Sequence, residues 1–302
     1  MSRGFSPQDP DDIRRGATTS NDRPVENEGR DAESAHDRGA VEPRDERAER
    51  LPEDGRETDG RVVLYDRNRA YRLSESEIHT IAELGRFRVI ASYDLTHHAY
   101  VGRETQAEPD MHDLARKGLV RKGTFEGPEG IPRELLTLTK RGHQLLRANR
   151  LVRPDQAVYF GFAKPKEANH DADLYLLYQK EGARIESKGG KNFRVILDYE
   201  LKRKVYRDLA RMGKDHRKEI AEHHGLRVVR TKIPIPDMQI EYETRGGDIA
   251  RVNLELVTEH YRGRSVAEKV RAGFSLYTPH GEADHLRRVL DGQELTAEIL
   301  SL

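Results

Sequence analysis

Residues 118–142 read GLVRKGTFEGPEGIPRELLTLTKRG, and their interpretation decides the fold. Gly118 is placed to stop a helix, because glycine takes the left-handed conformation of a helix end without a Cβ penalty. Leu119–Phe125 and Glu134–Leu138 are expected as strands, joined by the Gly/Pro turn EGPEGIP at 126–132. Thr139 then caps a further helix through KRGHQLLRANR (140–150). A basic hairpin is thus held out between two helices.

Upstream, RVVLYDRNRAYRL (61–73) reads as a strand or short hairpin. Ser74 with Glu77 three residues later makes a capping box, and Ile78, Ile81 and Ala82 keep helical spacing. A second helix fits DLTHHAYVG with Asp94 as N-cap. A third fits PDMHDLARKG, with Pro109 in its first turn and Met111, Leu114 and Ala115 facing inward. Helix, helix, helix, hairpin, helix is the order of a winged helix-turn-helix.

Composition bounds the partners. The chain has 302 residues, no Cys and no Trp, and equal numbers of basic and acidic residues, 53 each. Lack of cysteine excludes disulfides, thiol catalysis and cysteine-ligated zinc. No apolar run suits a membrane span or a signal peptide, so a cytoplasmic protein is expected. The neutral total hides an asymmetry. Residues 1–60 hold 10 Arg and no Lys against 17 Asp and Glu, which leaves the remainder with a net charge of +7. That first segment has no apolar period and is expected to be a disordered acidic tail. A basic body suits a polyanion.

The run L-x-x-K-G-L-V followed by L-T-x-x-G-x-x-L-L (Leu114, Lys117–Val120, Leu138–Leu146) resembles the bacterial winged-helix transcription factors. The resemblance implies double-stranded DNA as partner, with the third helix in the major groove and the hairpin as a wing on the backbone. Candidate DNA contacts are His112, Arg116, Lys117, Arg121, Lys122, Arg133, Lys140 and Arg141, with His112 and Arg116 the base-facing pair. Asp110 and Asp113 on the same helix oppose phosphate, and winged helices also serve as protein-protein modules.

Residues 151–168 read as a linker. Beyond it, a helix starts near Asn169 or Asp171, FRVILDYE is a buried strand, and a charged helix runs to a break near Gly213. LRVVR (226–230) is expected as a short strand. IPDMQIEYETRGGDIARVNLELV (235–257) reads as two strands around an Arg-Gly-Gly-Asp turn. A helix SVAEKVRAG, a strand FSLYT and a last helix from Glu282 complete the chain.

Asp237 opens the first strand of that hairpin and Glu255 lies in the second. Two carboxylates meeting at one end of a sheet suit a divalent metal acting on a phosphodiester. An ordinary hairpin with solvated carboxylates is the competing reading. The pattern resembles the PD-(D/E)xK nuclease core, in which a strand hairpin bearing Pro-Asp and then Glu-x-Lys is followed by a helix and a strand. Here the Glu-x-Lys place reads Glu255-Leu256-Val257, without lysine. Lys269, on the next helix, is the candidate substitute. Glu200 is an additional carboxylate candidate, although acids at 198 and 200 also suit the start of a helix. No phosphate-loop, dinucleotide-binding or nucleophile-elbow motif is present, nor any zinc-protease spacing.

Together the halves resemble the replication-relaxation family, in which a winged helix precedes a nuclease-like domain. The expected fold is mixed α+β and α/β: an acidic tail (1–60), a winged helix-turn-helix (61–150), a linker (151–168) and a restriction-endonuclease-like α/β domain (169–302). The resemblance implies a DNA-binding protein of a plasmid or mobile element that initiates replication or mobilisation, with replication or transfer proteins as partners; a homodimer is a separate expectation, in which the second domain dimerises. If the second domain cuts DNA, Asp237 and Glu255 ligate Mg2+, Glu200 assists and Lys269 stabilises the transition state. The alternative is a non-enzymatic winged-helix regulator or a protein-protein adaptor.

Overall fold

The computed structural model describes residues 60–127, 130–162, 167–257 and 263–278, with short pieces at 287–288 and 299–301. All of the described residues belong to one compact unit, Asp54–Leu302. The acidic segment and most of the helix expected from Glu282 lie outside the described residues. What is described is a mixed α+β structure.

It begins with the hairpin β1 (Val62–Asp66) and β2 (Arg69–Leu73), followed by α1 (Glu75–Phe87). The capping box forms in full: the Ser74 hydroxyl accepts from the Glu77 backbone N, and the Glu77 carboxylate accepts from the Ser74 N. A short strand β3 (Ile90–Ala91) leads into α2 (Ser92–Ala99) and α3 (Glu104–Arg116). Two expectations need correcting here. Asp94 is not the cap of α2 but sits buried inside its first turn, held by Arg133. Pro109 lies within α3, which starts five residues earlier than Pro109 predicts. Ala107 of that added stretch is buried, and Asp110 accepts from Ser76 of α1 (2.5 Å), so tertiary anchoring outweighs the helix bond that proline removes.

Gly118 stands at φ +71° and ends α3, as its place in the sequence predicts. β4 (Val120–Glu126) and β5 (Pro132–Leu138) form the antiparallel hairpin, with Val120 opposite Leu138 and Glu126 opposite Pro132. β3 adds to the other edge of β5, giving the order β3-β5-β4. This third strand is too short to be read from the sequence. Thr139 caps α4 (Lys140–Ala148) through the Gly142 N. Gly142 is required by packing, because a Cβ there would lie 2.2 Å from the Leu119 carbonyl oxygen.

Residues 151–162 form no helix or strand, yet they are fastened on both sides. The Gln156 amide accepts from Val195 N (3.0 Å) and donates to Val195 O (2.8 Å), while Tyr159 N donates to Gly85 O (2.8 Å). α5 (Ala168–Glu186) then packs its Tyr175 against Phe87 of α1 in an edge-on contact. One apolar cluster accordingly runs from Leu64 to Tyr277, with Leu84, Leu136, Leu177 and Leu254 fully buried in it.

β6 (Lys191–Leu197), α6 (Asp198–Met212), a 3-10 turn at Lys214–His216 and α7 (Arg217–His223) follow. The short strand expected over 226–230 is reduced to a single bridge between Val229 and Lys232. β7 (Met238–Glu243), β8 (Ile249–Leu256), α8 (Gly263–Arg271), β9 (Ser275–Thr278) and β10 (Ile299–Ser301) complete a sheet of order β10-β9-β8-β7-β6. β6, β7 and β8 are antiparallel neighbours, whereas β9 runs parallel to β8 after the α8 crossover. Among the described residues no helix is long and apolar enough to cross a membrane.

Candidate active site and nucleic-acid interface

Met238 pairs with Leu254 across β7 and β8, so the chain delivers Asp237 and Glu255 side by side at one end of the sheet. Asp237 N donates to Glu255 Oε2 (3.2 Å), and Leu256 N donates to Asp237 Oδ2 (2.9 Å). Glu255 is fully buried. The crossover helix α8 buries Val266 and Ala267 against the sheet, and this seating turns Lys269 toward the same sheet end. Lys269 Nζ lies 2.7 Å from Glu255 Oε1 and donates to Ile235 O at 2.7 Å. The structure therefore brings Asp237, Glu255 and Lys269 into one cluster.

His170, in the first turn of α5, completes the cluster's rim with Nε2 at 3.5 Å from Asp237 Oδ2. Burial alone would lower its pKa. The hydrogen bond and charge of Asp237, with Asp171 and Asp173 behind them, overcome this and push it up to about 9. Burial raises the neighbouring Asp171 carboxyl to about 6, against the opposing pull of Arg88 and His170. The Arg88 guanidinium stands 3.5 Å from Asp171 and 3.8 Å from the centre of the Tyr199 ring. Asp198 joins this end through its backbone N, which donates to Asp237 O (3.0 Å).

Glu200 is not brought to the pair. It sits in the first turn of α6 and accepts from Tyr159 OH (2.8 Å), Arg194 (3.1 Å) and Lys204. A second group with metal-ligand atoms is formed by Asp208 of α6 with His223 at the end of α7 and His224 just after it, their ligand atoms within 4.8 Å of one another. His224 Nε2 lies 2.8 Å from Asp208 Oδ2, a hydrogen bond that ties the two helices.

The candidate DNA contacts divide into two sets. Four are engaged in ion pairs. Arg116 pairs with Asp113, and Lys117 Nζ reaches Asp113 (2.6 Å) and Glu77 (2.9 Å). Lys122 pairs with Glu134 (3.2 Å), and Arg133 bridges Asp94 (2.8 Å) and Asp173 (2.6 Å). Arg133 is thus the fastening between the hairpin, α2 and α5, which was invisible because its partners stand about 40 residues away on either side. Arg121, Lys140, Arg141 and His112 are exposed, Arg121 with its guanidinium 4.9 Å from the centre of the Phe162 ring. Asp110 points inward and accepts from Ser76 (2.5 Å) and Tyr100 (3.2 Å), so its charge does not face a groove.

No family model matches the sequence, and no curated protein matches it. Among solved structures, Bacillus subtilis PadR in complex with operator DNA aligns at 17% identity over 45% of this chain and 69% of that one. The TM-score is 0.22, too low for the likeness to bear on fold or function.

Proposed function

We propose that the chain acts on DNA through a winged helix-turn-helix followed by a PD-(D/E)xK-like nuclease domain, the arrangement of the replication-relaxation family. The observation that carries this reading is the contact of Asp237, Glu255 and Lys269 at the end of β7 and β8. The order α5, β6, β7, β8, α8, β9 supports it, since a strand hairpin bearing Pro-Asp and Glu is followed by a helix and a parallel strand. The lysine enters from α8 in place of the strand position two residues after Glu255. The helices α1 to α3 with the sheet β3-β5-β4 and α4 support the winged-helix half.

Two carboxylates and no sulfur form a donor set that suits a hard divalent cation such as Mg2+. Asp237 and Glu255 would hold such an ion, which would supply water activation and charge neutralisation at phosphate. Lys269 places a fixed positive charge beside Glu255, where it offsets charge developing on the phosphoryl oxygens. His170 Nε2, 3.5 Å from Asp237 Oδ2, stands at the rim of the cluster, where its imidazolium would serve as proton donor to the departing sugar oxygen. Arg121, Lys140 and Arg141 remain to meet the DNA backbone near the hairpin.

A binding protein without chemistry is the second reading. It is favoured by the complete burial of Glu255, whose two oxygens already meet Asp237 N and Lys269. Supercoiled plasmid incubated with the protein in Mg2+, Mn2+ or EDTA separates the two. Metal-dependent nicking that Asp237→Asn abolishes is the expected result. Plasmid that is retarded but intact under every metal would leave only the binding role.

A further inference from the structure

A cleft of about 780 Å3 opens where α4 and the segment 151–159 meet β6 and the start of α6. Its walls carry Arg147, Arg150, Arg153, Arg194, Arg203 and Lys204 against two carboxylates, Asp155 and Glu200. Both carboxylates are already neutralised: Asp155 by Arg153 (3.1 Å), and Glu200 by Arg194 and Lys204. Arg147, Arg150 and Arg203 are exposed and form no ion pair among the described residues. Arg194 is spent in pairs with Glu200 (3.1 Å), Asp155 (3.7 Å) and Glu241 (3.7 Å), so the free charge of the cleft is that of the three exposed arginines. The cleft therefore has an unneutralised positive wall, unlike the α3 and hairpin face, where four of seven cations are paired internally.

Helix geometry links the two faces. Lys140 and Arg147 of α4 are seven residues apart, which places them on the same side about 10 Å from one another along the axis. The exposed stripe of α4 leads from the hairpin, where Arg141 approaches Gly118, into the cleft at Arg147. An Arg fork suits the paired oxygens of a phosphate.

We infer that this cleft is a second nucleic-acid site, in which the phosphodiester backbone of a DNA strand is held by Arg147, Arg150 and Arg203. The inference rests on the reading of the protein as DNA-acting and places a main contact surface away from both α3 and the Asp237 cluster. Asp198 and Lys202 of α6 face that cluster, whereas Glu200 and Lys204 face the cleft, so the two sites lie on different sides of one helix.

The test is fluorescence anisotropy of the full chain with single- and double-stranded oligonucleotides over a series of salt concentrations. It compares the parent, Arg147→Ser/Arg150→Ser/Arg203→Ser, and Arg121→Ser/Lys140→Ser/Arg141→Ser. The cleft variant is expected to bind at least tenfold more weakly and to lose about three from the slope of log K against log salt, with unchanged thermal unfolding. A preference for one oligonucleotide form identifies which strand geometry the cleft takes. Parent-like affinity and slope in the cleft variant, with loss in the hairpin variant, would overturn the cleft assignment and leave the DNA-acting reading standing. No salt-dependent binding by the parent would remove both.

Discussion

Lys269 lies fourteen residues beyond Glu255, and its amine is held between that carboxylate and the Ile235 carbonyl. Removing one partner of a buried ion pair leaves an uncompensated charge, which costs about 3–5 kcal/mol. Lys269→Met should therefore lower stability in urea unfolding by about that amount, and a change below about 1 kcal/mol would contradict the pairing. His170 offers a second check at this scale. Its folded pKa of about 9 exceeds the ordinary 6.5, so its stabilising contribution is complete below pH 6.5 and is lost as pH rises through 9. NMR titration of the His170 ring should place its midpoint near 9, and Asp237→Asn should move it down. A midpoint near 6.5 in the parent would show that Asp237 does not hold the imidazolium. The meeting of Asp237, Glu255 and Lys269 was legible because the hairpin turn pairs the start of β7 with the end of β8, and the next helix returns over that end of the sheet. Arg133 and Lys117 were not legible as structural anchors, because charge alone does not say whether a cation faces phosphate or a carboxylate of its own chain.

Among the elements, capping chemistry was the surest guide. Ser74, Thr139 and Gly118 end or begin helices where local hydrogen bonding demands it. The starts of α2 and α3 were misplaced because Asp94 and Pro109 carry strong local signals that tertiary contacts override. The opening stretch ends in a glycine for a reason of packing, since α4 presses onto the carbonyl of Leu119. Gly142→Ala should cost about 1–3 kcal/mol by forcing α4 away from β4, read as a lowered unfolding midpoint. An unchanged midpoint would mean that α4 moves freely relative to the hairpin.

On the scale of the whole molecule, the segment at 151–162 behaves as a seam. Gln156 imitates a strand partner for Val195, and Arg133 ties β5 to α5. A cluster that is continuous from Leu64 to Tyr277 implies that residues on both sides of the seam unfold together. Gln156→Ala would strand two buried backbone groups of Val195 and should destabilise by about 1–3 kcal/mol. Two separate calorimetric transitions in the parent would contradict this coupling. Sequence reading could not foresee the seam, because a stretch without hydrophobic period gives no sign of what its polar atoms bind.

The account turns on whether the Asp237 cluster is a metal site. Isothermal calorimetry with Mn2+ on the full chain, the Asp237→Asn variant and an Asp208→Asn variant tests it most directly. One ion bound per chain, lost in Asp237→Asn and kept in Asp208→Asn, is the predicted result. Mn2+ binding that survives Asp237→Asn, or no binding by the parent, would contradict it.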